Sequence, residues 1–240
     1  MQMTHRASIK NTIAAALLTL AGVASHQAVA TDLMNEKVVH LPATAIFATE
    51  NKGKFAVVTD TGRFIIQGTV YDVWDQKEIT TLEEARWAAT HIPLHKANVG
   101  FDDLQPLSIG TGEKVIYLFS DVQCGYCKGI IDEARAGLPE GYRLDVIMLP
   151  LMGPESARRT TEIHCADEPA AAWQVAVKGD MQTPLAQKPT EDCDLTTLQK
   201  RMVTAQFIGA RNVPFLIRED GLVQQGKPAQ GLRAWIQANR

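Results

Sequence analysis

The stretch Lys114-Val-Ile-Tyr-Leu-Phe-Ser-Asp-Val-Gln-Cys-Gly-Tyr-Cys127 carries the strongest structural signal in the chain. Lys114 to Phe119 is an apolar run of a length suited to a buried strand. Two cysteines three residues apart follow it. Beyond them Ile130, Ile131 and Ala134 give an amphipathic, helix-spaced stretch that ends near Gly137, and Arg143 to Leu149 is strand-like again. That order is β-α-β, with the cysteine pair at the mouth of the helix.

Working outward, the pattern from Pro154 to Ala210 is helical, with Asp194 expected as an N-cap and Gly209 as a C′ residue. Phe215 to Arg218 and Leu222 to Gln225 read as two strands pairing across Glu219-Asp-Gly221, and Gln230 to Asn239 as a closing helix. A β-α-β unit, a helical insertion and a β-β-α unit together predict a thioredoxin-like domain over residues 113–240. The fold class expected is α/β, α+β when the whole chain is counted.

Cysteines three apart on a helix lie about 5–6 Å from each other at Cβ, so a modest adjustment closes a disulfide. A helix N-terminus offers unpaired N–H groups and partial positive charge, which lower a thiol pKa from about 8.5 to roughly 3.5–7.5. Cys124 is therefore the expected nucleophile, and Cys127, one turn inside, the thiol that resolves a mixed disulfide. Zinc held by four thiolates usually takes two such pairs, whereas Cys165 and Cys193 stand singly, 28 residues apart. No His directly follows Cys127, which argues against haem attachment, and His164 beside Cys165 reads as an ordinary helical side chain. No metal and no cofactor is implied.

Val213-Pro214 is the second signal. In a thioredoxin-like domain the loop before the third strand faces the active-site helix, and a proline there is held cis, freeing the preceding backbone to pair with substrate. A cis X-Pro bond costs only about 0.5–1 kcal/mol over trans, so a fold can enforce it. Val213 and Pro214, with Gly125 and Tyr126 between the sulfurs, are the expected substrate contacts. Cys165 and Cys193 flank the helical insertion, and a structural disulfide between them would contribute roughly 3–4 kcal/mol in the chain-entropy picture. The four tryptophans, Trp74, Trp87, Trp173 and Trp235, are dispersed and read as packing residues.

Toward the N-terminus, Phe55-Ala-Val-Val58 and Phe64-Ile-Ile66 are β-rich runs separated by the turn Asp60-Thr-Gly62, and Gly68 to Val73 reads as a third strand. This β-rich stretch, residues 31–79, contains no cysteine and is too small to bury much core alone. It needs the rest of the chain or a second copy of itself. Thr81-Leu-Glu-Glu84 is a capping box opening a helix that should end before Pro93, and residues 80–112 are expected to be a linker helix and loop.

Met1 to Lys10 carries Arg6 and Lys10 and no acid, and an apolar run from Asn11 to Ala24 leads to Ala28-Val29-Ala30. Basic region, apolar stretch and small-residue exit describe a cleaved signal peptide over residues 1–30. The apolar run, about 14 residues, falls short of the roughly 20 needed to span a bilayer. Loss of Arg6 and Lys10 takes the formal charge from −3 to −5, which provides no footprint for nucleic acid. Four cysteines in an exported chain point to disulfides.

Phe119-Ser-Asp-Val-Gln-Cys-Gly-Tyr-Cys127, with Gly62-Arg-Phe-Ile-Ile-Gln-Gly68 and Tyr71-Asp-Val73, resembles the DsbC/DsbG family of periplasmic thiol:disulfide interchange proteins. His164-Cys-Ala-Asp167 and Asp192-Cys-Asp-Leu195 sit where that family keeps its second disulfide. The resemblance implies a periplasmic, V-shaped homodimer joined through the N-terminal domain. Its cleft would hold misfolded or unfolded secreted proteins, and a DsbD-type membrane reductase would keep the catalytic pair reduced. Val213 departs from the family, which carries Thr before the proline, and matches the DsbA oxidases. Three readings follow: a disulfide isomerase or reductase, a dithiol oxidase of the DsbA type, and a holdase chaperone with incidental thiols.

Overall fold

The structure, a computed structural model, describes residues 38–40, 46–51, 53–66, 68–97 and 99–238. The expected signal peptide, residues 1–30, lies outside the described residues. The chain divides into two compact units. The first comprises the described residues up to Asp72 together with Gln76–Ala89, and the second comprises Val73–Asp75 and the chain from Thr90 onward.

In the first unit β1 (Val38–His40), β2 (Ile46–Asn51), β3 (Lys54–Thr59) and β4 (Ile65–Ile66) form an antiparallel sheet in chain order. The hairpin turn expected at Asp60-Thr-Gly62 is present: Thr59 accepts from the Gly62 N–H at 2.9 Å, and Gly62 has φ of +66°, a conformation that glycine reaches without strain. β5 (Val70–Asp72) does not extend this sheet but pairs with β6 (Lys77–Ile79) as a separate ribbon. Helix α1 (Leu82–Thr90) opens on the capping box. The Glu84 N–H donates to Thr81 Oγ1 at 3.2 Å, and the Thr81 N–H donates to Glu84 Oε2 at 3.1 Å.

Residues 80–112 are not a free linker. Leu82 and Ala85 of α1 are buried with Ala48, Val57 and Ile79 in the core of the first unit. The chain after α1 belongs to the second unit. Its N–H at Ile92 donates to Gly221 O at 2.9 Å, and Ile92, Phe101 and Leu104 enter the second core. The short helix α2 (Leu94–Ala97) and strand β7 (Leu107–Ile109) lie within the same stretch. The sparse periodicity that suggests a loop reflects short elements anchored by single apolar residues.

The second unit is built on a five-stranded sheet. Its order is β11 (Val223–Gln225), β10 (Phe215–Ile217), β8 (Lys114–Ser120), β9 (Tyr142–Met148) and β7. Only β8 and β9 pair in parallel, joined by helix α3 (Gly125–Ala136). Alternate residues serve two cores. Ile116, Leu118, Leu144, Val146 and Leu216 face one, while Phe119, Ile147, Phe215 and Ile217 face the other. Burial on both faces accounts for the near-continuous apolar runs of β8 and β9. The first core is closed by α3, α4 (Pro154–His164), α5 (Pro169–Lys178) and α7 (Leu232–Gln237), and the second takes Ala205 from α6 (Thr196–Phe207).

The helical insertion has polar fastenings of its own. Buried Arg159 on α4 donates to the carbonyls of Asp180, at 2.8 Å, and Thr183, at 2.7 Å. Asp194 does not cap α6 directly; the N-cap is Leu195, and Asp194 Oδ1 accepts from the Thr196 N–H at 2.8 Å. The Asp180 carboxyl is pulled down to about 2 by the Thr183 hydroxyl first, then by the N–H groups of Thr183 and Gln182. A carboxylate so lowered stabilises the fold above its unfolded pKa, and this contribution is lost as pH falls through the folded value. The stability difference between the unaltered chain and Asp180→Asn should therefore be constant from neutral pH to about 4 and shrink toward about 2. Urea melts across that range measure it; a difference independent of pH down to about 2 would contradict the assignment.

Candidate redox site

β8 ends at Ser120, and five residues later, at Gly125, the chain starts α3. Cys124 is the N-cap residue, in extended conformation with φ −78° and ψ 103°. Its Sγ accepts the Cys127 N–H at 3.1 Å, and its carbonyl accepts the Lys128 N–H at 3.0 Å. The first cysteine thus occupies the place that Ser, Thr or Asp usually fills, where a sulfur meets an N–H otherwise unpartnered. The first turn of the helix holds no acid to oppose a negative charge there. Cys124 and Cys127 are joined, with Cα atoms 5.2 Å apart. Cys124 is 5% exposed and Cys127 fully buried.

Between them Gly125 is exposed, with open space where a Cβ would stand, and Tyr126 presents 73% of its surface. The Val213–Pro214 peptide is cis. Phe215, the next residue, pairs with Phe119. That register brings the Val213–Pro214 loop to the end of the sheet where β8 leaves for Cys124. Val213 is half-buried and Pro214 buried.

Cys165 and Cys193 are joined to each other, separated by 28 positions. Cys165 ends α4, and its carbonyl accepts the Lys188 N–H at 2.9 Å, while His164 Nε2 lies 2.8 Å from Asp194 O. The four cysteines therefore close into two separate pairs. One residue at the site, Asp121, was not singled out by the sequence reading. It is 2% exposed, and its carboxylate accepts from Gln123, Leu151, Met152 and Ser156. The available signal was an acid at the exit of an apolar strand, where Asp commonly accepts an N–H two residues on.

A central sheet with one parallel pair, a cysteine pair at the start of the intervening helix and a cis-proline loop at the same end of the sheet define a thioredoxin-like dithiol site. Residues 105–238 match the thioredoxin-like domain family, more than half of the chain, and the chain belongs to that family. Among curated proteins it is similar to the thiol:disulfide interchange protein DsbC of Dickeya dadantii, at 23% identity over 186 residues covering 76% of this chain and 72% of that protein. It is 24% identical to the probable thiol:disulfide interchange protein DsbC of Bordetella parapertussis over 179 residues, 71% of this chain. The match spans 57% of that Bordetella protein's length. The solved structure of a disulfide interchange protein from Neisseria gonorrhoeae is similar at 22% identity and a TM-score of 0.47, covering 59% of this chain and 98% of that one.

Proposed function

We propose that this chain is a thiol:disulfide oxidoreductase that reduces and isomerises misformed disulfides in secreted proteins. The observation that carries the reading is the N-cap placement of Cys124, whose Sγ already accepts the Cys127 N–H. In the reduced protein the same contact, with the helix N-terminus, favours a thiolate on Cys124. That thiolate attacks one sulfur of a substrate disulfide. A mixed disulfide forms, and the substrate's other sulfur leaves as a thiolate. If a second substrate thiolate attacks the mixed disulfide, Cys124 is released unchanged and the substrate has been isomerised with no net electron transfer. Otherwise Cys127 loses its proton and attacks Cys124 Sγ. The substrate leaves as a dithiol, and Cys124–Cys127 closes, taking up the oxidation.

Resetting that pair needs an outside reductant, and a DsbD-type membrane reductase is the proposed partner. Gly125, Tyr126, Val213 and Pro214 are the proposed substrate contacts, with unfolded chain laid along the Val213–Pro214 loop. The proposed location is the periplasm. Among the described residues no helix is long and apolar enough to cross a membrane. Cys165–Cys193 is proposed as a structural bridge. Insulin reduction together with refolding of scrambled ribonuclease tests the reading: activity in both is expected.

An oxidase of the DsbA type is the second reading, favoured by Val213, an apolar residue before the proline where DsbC-like proteins carry Thr. An oxidase would speed oxidation of reduced ribonuclease and fail to rescue the scrambled form. A holdase with incidental thiols would suppress aggregation equally well with both cysteines replaced.

Isomerisation is further proposed to require a homodimer joined through residues 31–79. In the first unit Phe64, Ile66 and Tyr71 are each more than half exposed, and short strands leave edges able to pair with a second copy. A truncated chain starting at Thr90, where the second unit resumes, should be monomeric, still reduce insulin, and refold scrambled ribonuclease poorly. Analytical ultracentrifugation alongside both assays checks this. A full-length chain that is monomeric at micromolar concentration would remove the dimer and favour the oxidase reading.

A further inference from the structure

Asp121 is a buried carboxylate with every hydrogen bond directed to one of two places. Oδ1 accepts the Gln123 N–H at 2.8 Å, inside the turn that leads to Cys124. Oδ2 accepts the N–H groups of Leu151, at 2.7 Å, and Met152, at 2.9 Å, and the Ser156 hydroxyl in the first turn of α4. Its carbonyl accepts the Cys124 N–H at 3.0 Å. One residue therefore ties the backbone of the cysteine turn to the segment between β9 and α4.

Burying a carboxylate is costly unless its lone pairs are met, and four donors meet these. Turn closure alone would not need a charge, since Ser or Asn can accept an N–H two residues on. The second oxygen is what a carboxylate adds, a full acceptor aimed away from the turn into a cluster of three donors. The turn from Asp121 to Cys124 has no regular structure of its own. Cys124 Sγ meets the Cys127 N–H only while Cys124 keeps its extended N-cap conformation. Anchoring Gln123 to a fixed point behind the turn holds that conformation.

We propose that Asp121 is a positioning residue for the redox pair, holding Cys124 in the N-cap geometry that stabilises its thiolate. This rests on the thiol–disulfide reading above. Asp121→Asn is the test, because an amide keeps the shape but has one acceptor oxygen instead of two. Turned to serve Leu151, Met152 and Ser156, it sets its NH2 group against the Gln123 N–H and releases the turn.

A thiolate that is less stabilised disfavours the dithiol form. In glutathione buffers at neutral pH the equilibrium of Cys124 and Cys127 in Asp121→Asn should shift about three- to tenfold toward the disulfide. Ser156→Ala removes one of the four donors without touching the turn. It should shift the constant in the same direction by about twofold, and it carries the test if Asp121→Asn does not fold. A shift toward the dithiol would mean that the carboxylate acts on the thiolate as a repelling charge, and would overturn the proposal. An unchanged constant with a lowered melting temperature would reduce Asp121 to a structural role and equally overturn it. Insulin reduction by the unaltered chain separates the two levels. If the unaltered chain is active, a failed shift condemns only the role of Asp121; if it is inactive, the parent reading falls.

Discussion

Cys124→Ser should bring insulin reduction and refolding of scrambled ribonuclease down to the uncatalysed rate while leaving the fold intact. The reason is chemical. The helix start stabilises an anion at this position, and a serine hydroxyl does not ionise near neutral pH to exploit it. Cys124 is also the less buried of the two, 5% exposed where Cys127 is fully buried. Cys127→Ser should behave differently. It keeps the attacking thiolate and loses the group that resolves the mixed disulfide, so covalent complexes with substrate should accumulate on non-reducing gels. Full activity in Cys124→Ser would remove the mechanism, and trapping by Cys124→Ser instead of Cys127→Ser would reverse the roles.

The second large effect concerns stability. Replacing Cys165 and Cys193 together by serine opens a loop of 28 positions and should cost about 3–4 kcal/mol. Against a typical domain stability of about 5–15 kcal/mol, that is a considerable fraction. The loss should appear as an earlier urea midpoint, with exchange activity per folded molecule unchanged because the redox pair is closed within itself. A midpoint unmoved by the double replacement would show that the bridge contributes nothing. Lost activity in molecules that remain folded would mean that the insertion takes part in the chemistry.

Legibility in the sequence was uneven, for physical reasons. β8 and β9 were readable because strands buried on both faces have little room for polar side chains, and their apolar runs are correspondingly unbroken. The capping box at Thr81 and Glu84 was readable because its reciprocal bonds need particular residues at a fixed spacing. The stretch from Pro93 to Gly112 reads as linker, yet Phe101 and Leu104 within it enter the second core. Its short elements give no period, and what fastens the chain just before it, the Ile92 N–H on Gly221 O, is a backbone contact with a hairpin over a hundred residues away. Asp194 was placed one residue from the observed cap, a shift of the size that helix ends allow. Cys124 and Cys127 were legible as a pair because their spacing permits the disulfide that joins them. Asp121 was not, because its worth lies in donors from Leu151, Met152 and Ser156, which the fold alone brings to it.

Cys124 and Cys127 are proposed as the working redox pair, with Cys124 as the attacking thiol. Stepwise equilibration of the full chain with reduced and oxidised glutathione, followed by acid quenching, alkylation and mass mapping, tests this assignment most directly. Cys124–Cys127 should open first while Cys165–Cys193 stays closed, and limiting alkylating reagent at neutral pH should label Cys124 ahead of Cys127. Opening of Cys165–Cys193 before the other pair, or preferential labelling of Cys127, would contradict it.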